Sequence, residues 1–203
     1  MTAQTAYLDY NATAPLRPEV VRAMTDALQC HGNASSIHSL GRQARSRIEA
    51  ARSVIASLVG AKANEVTFTS GGTEANNLAL RGAPATQVLV SAIEHDSVVR
   101  ATPPDSAVIP VLASGVIDLA ALDALLADMD APALVSVMLA NNETGVVQPV
   151  ARAADIARAH GALLHCDAVQ AAGKMAIDRD ALGADLLTLS AHKFGGPQGV
   201  GAL

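Results

Sequence analysis

Short apolar runs recur along this chain and are separated by longer stretches with a helical pattern of apolar and polar residues. Each run is apolar at nearly every position, which is typical of strands buried on both faces of a parallel sheet. The pattern therefore predicts six strands, at Val66–Thr69, Val88–Ser91, Val108–Leu112, Leu134–Leu139, Leu163–Asp167 and Leu186–Ser190.

Helices are predicted between most of these strands. The clearest spans Gly41–Val59 and carries an apolar face at helical spacing, formed by Ala44, Ile48, Ala51, Ile55 and Leu58. Asp118–Asp128 and Val150–His160 are further candidates, and Ala101–Asp105, with two prolines, is predicted to be a surface loop. This alternation indicates an α/β domain whose helices cover the sheet. The apolar run Gly199–Leu203 is interpreted either as a short C-terminal strand or as a sign of truncation.

Composition narrows the class of protein. The 203 residues suggest one domain or slightly more, and half of them are hydrophobic although only 2% are aromatic. The net charge is −5 without a basic block, which disfavours nucleic acid and anionic membrane surfaces as partners. No signal peptide or apolar run of about 20 residues is seen, so no membrane span is expected. Cys30 and Cys166 form no CxxC pair, which favours a reducing cytoplasm.

Polar clusters follow five of the predicted strands. Taken alone, each is more typical of a turn, a helix cap or a solvated lysine than of a functional site. In a parallel sheet, however, the carboxyl ends of strands share one edge, where ligands of α/β proteins bind. The five clusters are Ser70–Glu74, Glu94–Asp96, Asn141–Gly145, His165–Gln170 and Ser190–Lys193.

The first and last of these clusters have the composition of an anion site. The glycines of Ser70–Glu74 allow close backbone approach, and a helix start there favours a phosphate. Ser190 and His192 are placed to donate to the same phosphate as Gly72 and Thr73. A metal site is not predicted, because adjacent strand residues such as His165 and Cys166 point to opposite faces; Cys166 is expected in the core.

The remaining groups supply a nucleophile and an acid. Lys193 lies between an apolar strand and a glycine-rich bend, so partial desolvation is expected to lower its pKa and make its amine nucleophilic. Asp167 ends a strand as an acid suited to pair with a buried cation, and His95 adds a flat aromatic ring. An anion cradle, a lysine, an acid and a flat ring are the groups that pyridoxal 5′-phosphate (PLP) requires.

The motifs resemble those of the cysteine desulfurases, which belong to the class V aminotransferase group of PLP enzymes. The resemblance covers essentially the whole chain in order. Its segments are Tyr7–Pro15, Asn33–Ser36 with His38 and Gly41-Arg42, Thr69–Asn77, Glu94-His95, Asn141–Gly145, His165–Gln170 and Ser190–Lys193. It implies the large domain of the aspartate-aminotransferase type with a mixed sheet, spanning 14–203 and incomplete at its C-terminus. Residues 1–13 are implied to associate with a small domain.

The resemblance also implies a role for each matching position. Lys193 corresponds to the lysine that holds PLP covalently. His95 corresponds to the residue that stacks on the ring and takes part in proton transfer. Asp167 corresponds to the partner of the pyridine nitrogen, and Gln170 and Asn142 lie near the ring hydroxyl. The implied phosphate ligands are Gly72, Thr73, Ser190 and His192.

The implied activity is conversion of L-cysteine to L-alanine, with the sulfur left as an enzyme persulfide and passed to an acceptor or scaffold protein. The family's catalytic cysteine lies well downstream of Lys193, and neither Cys30 nor Cys166 matches it. A truncated, poorly soluble and inactive chain is therefore expected, from an enzyme that is a cytoplasmic homodimer. A selenocysteine lyase, another class V enzyme and a non-catalytic PLP-binding remnant remain alternatives.

Overall fold

The computed structural model describes residues 6–129 and 132–203. Its strands are β1 (Phe68–Thr69), β2 (Gln87–Ser91), β3 (Ala107–Ile109), β4 (Ala133–Met138), β5 (Leu163–Asp167), β6 (Leu186–Ser190) and β7 (Gly201–Ala202). Its helices are α1 (Pro18–Leu28), α2 (Ser39–Val59), α3 (Gly72–Gly82), α4 (Asp96–Val99), α5 (Leu119–Ala127), α6 (Val150–Ala159) and α7 (Arg179–Leu182). Short 3-10 turns span Ala63–Glu65 and Ala191–Lys193.

The seven strands form one mixed sheet in the order β1-β7-β6-β5-β4-β2-β3. The five strands from β3 to β6 in this order are parallel, while β7 runs antiparallel to both β6 and β1. The parallel arrangement predicted from the sequence is thus confirmed for five of the six predicted strands. It is wrong for Val66–Thr69, where only the two-residue strand β1 forms; β1 pairs antiparallel and contains no buried residue. Gly201–Ala202 pairs as a short strand, so the apolar run at 199–203 takes part in the sheet.

Both faces of the sheet are buried, and alternate residues of each strand belong to different cores. Leu89, Val135 and Cys166 pack into the larger cluster with α5, α6 and the end of α2. Val90 and Leu134 pack into a smaller cluster beneath α3 and α4. This alternation explains why the strands read as continuous apolar runs. Cys166 is fully buried in the larger cluster, as expected.

The predicted helix Gly41–Val59 is present as α2, but its apolar stripe is largely uncovered. Ile48 and Leu58 are 41% and 44% exposed, because only the C-terminal end of α2 packs against the sheet. Helix α1 contains no buried residue. It was not predicted, although Pro18 in its first turn is a helix-start signal. Within the ranges that the structure describes, no helix is long and apolar enough to cross a membrane.

The buried carboxyl of Glu94 joins the ends of two neighbouring strands. Its Oε1 accepts hydrogen bonds from the Ser91 hydroxyl (2.7 Å) and from the backbone N–H of Met138 (2.7 Å), linking β2 to β4. Its Oε2 is buried without a partner in the described part of the chain. Burial, with a smaller contribution from the nearby charge of Asp167, raises the pKa of Glu94 to about 8.

Truncation of a leucine in the smaller core is expected to destabilise the fold. Leu80 of α3 is 5% exposed, so Leu80→Ala removes buried methyl groups and leaves a cavity. The free energy of unfolding, measured by urea denaturation, should fall by about 2–5 kcal/mol. Leu78 lies on the same helix but is 44% exposed, so Leu78→Ala should cost less than about 1 kcal/mol. Equal losses in both variants would contradict this packing.

Glu94 should make the fold less stable as pH rises. Between its ordinary pKa of 4.5 and the folded value of about 8, the unfolded chain releases a proton that the folded chain retains. The free energy of unfolding should therefore fall across this window, and Glu94→Gln should remove a decline on the order of 3 kcal/mol between pH 5 and pH 8. Urea denaturation at both pH values measures it. The exposed Glu19→Gln variant, as control, should keep the wild-type slope.

Candidate active site

One cavity lies at the carboxyl ends of the parallel strands and has an empty volume of about 620 Å³. All nine residues that the sequence suggested as a cofactor site line it. They come from five separate segments of the chain, and the order of the sheet brings those segments to one edge. The nine are Gly72, Thr73, His95, Asn142, Asp167, Gln170, Ser190, His192 and Lys193.

Gly72 begins α3 at one wall of the cavity and has no room for a side chain. A Cβ built on it would lie 2.9 Å from Cγ2 of Val169 and 3.3 Å from Cβ of Ser190. The first backbone N–H groups of a helix have no partner within it, and the helix dipole favours an anion there. The start of α3 and the Ser190 and His192 side chains in the same lining therefore could hold an anion, and this group of residues is called the anion cradle.

Strand β7 supports the start of α3 through another close backbone contact. A Cβ on Gly201 of β7 would lie 2.5 Å from the carbonyl carbon of Gly71, the residue that precedes α3. No side chain larger than hydrogen fits at this position without displacing that backbone. The start of α3 therefore rests directly on β7, at the same edge of the sheet where β6 ends with Ser190.

Lys193 is half-buried in the turn after β6 and lines the cavity. Its ammonium donates to the backbone carbonyl of Asn11 (2.7 Å). Burial lowers the pKa of Lys193, and the nearby charge of Lys174 lowers it further, while Asp167 and Asp9 oppose the shift. The direction agrees with the sequence-based expectation of a more nucleophilic amine. Burial and the charge of Lys193 likewise lower the pKa of His192.

Asp167 is 5% exposed and lies at the end of β5. Its Oδ1 accepts from the backbone N–H of Val169 (2.9 Å) and its Oδ2 from the amide of Asn76 (2.8 Å). Within residues 6–129 and 132–203, no cationic side chain pairs with this carboxylate. The buried cation that the sequence suggested for Asp167 is thus not a side chain of the described residues.

Two further polar residues of the cavity, Asn76 and Ser97, were missed by sequence reasoning. Asn76 is 1% exposed and donates to Ser97 Oγ (2.9 Å), while Ser97 lies 2.8 Å from Nδ1 of His95. Helical periodicity could have identified Asn76. Residues one turn apart lie on the same face of a helix, and Asn76 follows Gly72 by one turn. Ser97 carried no comparable signal, because its position depends on how α4 packs against α3.

The N-terminal segment contacts the lining of the cavity through Asn11. The Asn11 carbonyl accepts from Gln170 (2.8 Å) as well as from Lys193, and its amide donates to the Asn142 carbonyl (3.1 Å). Lys174 donates to both Asn11 Oδ1 (3.0 Å) and Gln170 Oε1 (2.7 Å). Residues 1–5 lie outside the described ranges, and the assignment of 1–13 to a small domain stays a prediction.

The Asn141–Gly145 loop is held by its first residue. Asn141 Oδ1 accepts from the backbone N–H groups of Glu143 (2.9 Å) and Thr144 (2.8 Å), so the loop closes on itself. Its amide reaches back to the carbonyl of Ile93 (3.2 Å), which ties the loop to the segment that carries His95. Asn142, the next residue, is thereby presented to the cavity.

Comparison with known proteins finds close sequence relatives. An IscS-like cysteine desulfurase from Mycobacterium tuberculosis is 42% identical over 214 aligned residues, which cover 98% of this chain and 54% of the relative. A cysteine desulfurase from Sinorhizobium fredii is 46% identical, with 97% of this chain and 54% of the relative covered. The chain thus spans about half the length of these curated relatives.

Solved structures are also similar to this fold. A NifS-like protein from Rickettsia africae matches with a TM-score of 0.93 at 39% identity, covering 98% of this chain and 57% of that one. SspA, solved in complex with cysteine, matches with a TM-score of 0.87 at 32% identity, covering 98% of this chain and 60% of that one. The PLP-transferase type of fold that the motifs implied is confirmed by this likeness.

The family assignment follows from these matches. The family model described as aminotransferase class-V matches residues 6–203. The motifs indicated a resemblance to cysteine desulfurases. This resemblance is confirmed over essentially the whole chain, because relatives with that name match nearly all of it. Since the family model matches nearly all of the sequence, this chain belongs to the aminotransferase class-V family.

Proposed function

We propose that this chain is the PLP-binding part of a cysteine desulfurase, an enzyme that converts L-cysteine to L-alanine and leaves the sulfur as an enzyme persulfide. The curated relatives of similar sequence are named cysteine desulfurases. A structural neighbour, SspA, is described in complex with cysteine, the substrate that the proposal names. The chain spans about half the length of these relatives, and its residues would contribute the cofactor site for this activity.

The observation that carries the cofactor proposal is the carboxylate of Asp167, which makes no direct ion pair inside the cavity. A buried carboxylate is costly unless a cation or several donors compensate it, and among the described residues Asp167 has two neutral donors and no cation within salt-bridge distance. The protonated pyridine nitrogen of PLP is a cation of suitable size. Asp167 would hold the proton on that nitrogen.

The other residues of the cavity match the remaining parts of the cofactor. The start of α3, with Gly72 and Thr73, and the side chains of Ser190 and His192 would hold the phosphate. Gln170 and Asn142 would lie near the ring hydroxyl, and the His95 ring would cover the pyridine plane. PLP, when bound, supplies an electron sink that weakens bonds at the carbon atoms of an amino acid.

Lys193 would bind PLP through its amine, for which the neutral form is required. The lowered pKa of Lys193 increases the neutral fraction at a given pH. Burial is the larger cause, and the positive charge of Lys174 adds to it because both ammonium groups bind the same residue, Asn11. Burial in the cavity wall and the charge of Lys174 therefore both favour the neutral amine of Lys193 that this role requires.

The thiol that receives sulfur would come from outside these 203 residues. Cys166 is fully buried in the core, and burial, together with the charges of Asp167 and Glu94, raises its pKa well above the ordinary value. Cys30 is exposed beyond the end of α1, where it donates to the Asp26 carbonyl, and does not line the cavity. Both are free cysteines, in keeping with a reducing cytoplasm.

Homodimerisation is proposed through the uncovered helices α1 and α2. Both leave apolar side chains in solvent, and such faces mark protein interfaces when they are contiguous. The half-exposed or exposed residues include Val21, Met24, Leu28, Ile48, Val54 and Leu58. A sulfur-acceptor or scaffold protein is the further partner that a desulfurase activity requires, and iron–sulfur cluster assembly is one use of that sulfur.

Covalent binding of PLP should depend on a single lysine. The chain has three lysines, Lys62, Lys174 and Lys193. Purified protein with PLP should show the visible absorption of lysine-bound PLP, and Lys193→Ala should lose it. Lys174→Ala and Lys62→Ala should keep it. Borohydride reduction followed by peptide mapping should place the label on Lys193; a label on Lys174 would contradict the assignment.

The anion cradle should be sensitive to any side chain at its glycine. Gly72→Ala places a Cβ 2.9 Å from Val169 and should weaken PLP binding at least about 10-fold, since the phosphate loses close approach to the start of α3. The control is Gly82→Ala at the other end of the same helix, where a Cβ meets only Leu78 at an ordinary 3.6 Å. Fluorescence titration with PLP and with unphosphorylated pyridoxal separates the effects. Equal weakening for both ligands would argue against a phosphate site.

A further inference from the structure

A chain of hydrogen bonds connects Asp167 to His95 along the lining of the cavity. Asn76 donates from Nδ2 to Asp167 Oδ2 (2.8 Å) and to Ser97 Oγ (2.9 Å). Ser97 Oγ lies 2.8 Å from Nδ1 of His95. The three residues behind His95 are buried, with exposed fractions of 1% for Asn76, 8% for Ser97 and 5% for Asp167.

The direction of these hydrogen bonds follows from the carboxylate at one end. An ionised carboxylate only accepts, so the Asn76 amide must turn its N–H groups toward Asp167. The opposite orientation would place the amide oxygen against the carboxylate. The amide oxygen itself is buried with no hydrogen-bond partner in the described ranges, so the two donated bonds alone orient Asn76.

This orientation passes to Ser97 and then to His95. Both N–H groups of the Asn76 amide are used, one of them on Ser97 Oγ, which therefore acts as acceptor. The Ser97 hydroxyl proton is left to donate to His95 Nδ1, and the Ser97 backbone N–H donates to the same nitrogen (3.1 Å). Two donors on Nδ1 require that this nitrogen carry no proton, which places the ring proton on Nε2.

We propose that Asn76 and Ser97 are positioning residues that transmit the orientation set by Asp167 to His95 and hold its neutral ring with the proton on Nε2. Because Nδ1 is turned to Ser97, Nε2 is the nitrogen left to face the cavity. His95 thus presents a hydrogen-bond donor there, and the ring cannot rotate without losing both bonds at Nδ1. This inference rests on the proposed PLP function, because the donor at Nε2 of His95 serves a purpose only when a ligand is bound.

The test is NMR of cofactor-free protein with ¹⁵N-labelled histidine, in which two-bond ¹H–¹⁵N correlations distinguish protonated from unprotonated ring nitrogens. His95→Gln identifies the His95 signals. In the wild type, Nδ1 should appear as an unprotonated, hydrogen-bonded nitrogen and Nε2 as protonated. Ser97→Ala should shift the Nδ1 resonance, since one of its two donors is lost, and Ser97→Thr, which keeps the hydroxyl, should restore the wild-type position.

The decisive variant is Asn76→Ala, because Asn76 makes no hydrogen bond to His95 among the described residues. It should shift His95 Nδ1 in the wild-type background and cause no additional shift when Ser97 is already alanine. Additive shifts, or no effect of Asn76→Ala, would overturn the relay. A protonated Nδ1 in the wild type would also overturn it.

A matched control comes from a second buried serine–histidine pair. Ser136 Oγ lies 2.9 Å from Nδ1 of His165, whose other nitrogen contacts Thr188 (3.0 Å). Ser136→Ala should shift the His165 signals and leave His95 unchanged, which shows that the protein remains folded and that the effect is local. Since PLP is absent from this measurement, failure of the relay and failure of PLP binding at Lys193 are observed in separate experiments.

Discussion

The burial of one carboxylate is the constraint on which the site depends. Asp167 ends a central strand, where water is largely excluded, and a charge in that position must be compensated by donors or by a cation. Two neutral donors come from the chain, Asn76 and the Val169 backbone. The remaining compensation is left to a ligand, which is the basis for proposing a cationic ring nitrogen there. The bond from Asn76 also ties α3 to β5.

Close backbone packing places the opposite end of the site. Gly72 and Gly201 each lie where a Cβ would collide with a neighbour, so the start of α3 rests against β7 and Ser190 with no intervening side chain. The same helix therefore supplies an anion cradle at its first turn and a hydrogen-bond donor to Asp167 one turn later. The distance between the proposed phosphate and pyridine positions is thus set by a single rigid element.

Charged side chains cluster around Asn11 beside the cavity. Two lysines, Lys174 and Lys193, share Asn11 as acceptor. Burial and the charge of Lys174 lower the pKa of Lys193, and burial and the charge of Lys193 lower the pKa of His192. The segment that carries Asn11 joins the N-terminus to three other segments of the site. The Lys193 amine, its acceptor Asn11 and the proposed anion cradle are consequently coupled through the turn that follows β6.

The sequence by itself determined the strands, the parallel core and the edge at which the chemistry lies, because hydrophobic period and strand-end position are local properties. The convergence of the nine suggested site residues followed from that edge. Tertiary structure decided what local pattern cannot encode: that Asn76 and Ser97 connect Asp167 to His95, that Asn11 closes over Lys193, and that the apolar stripe of α2 stays exposed. Each depends on contacts between residues distant in the chain, and the packing of the elements alone brings those residues together.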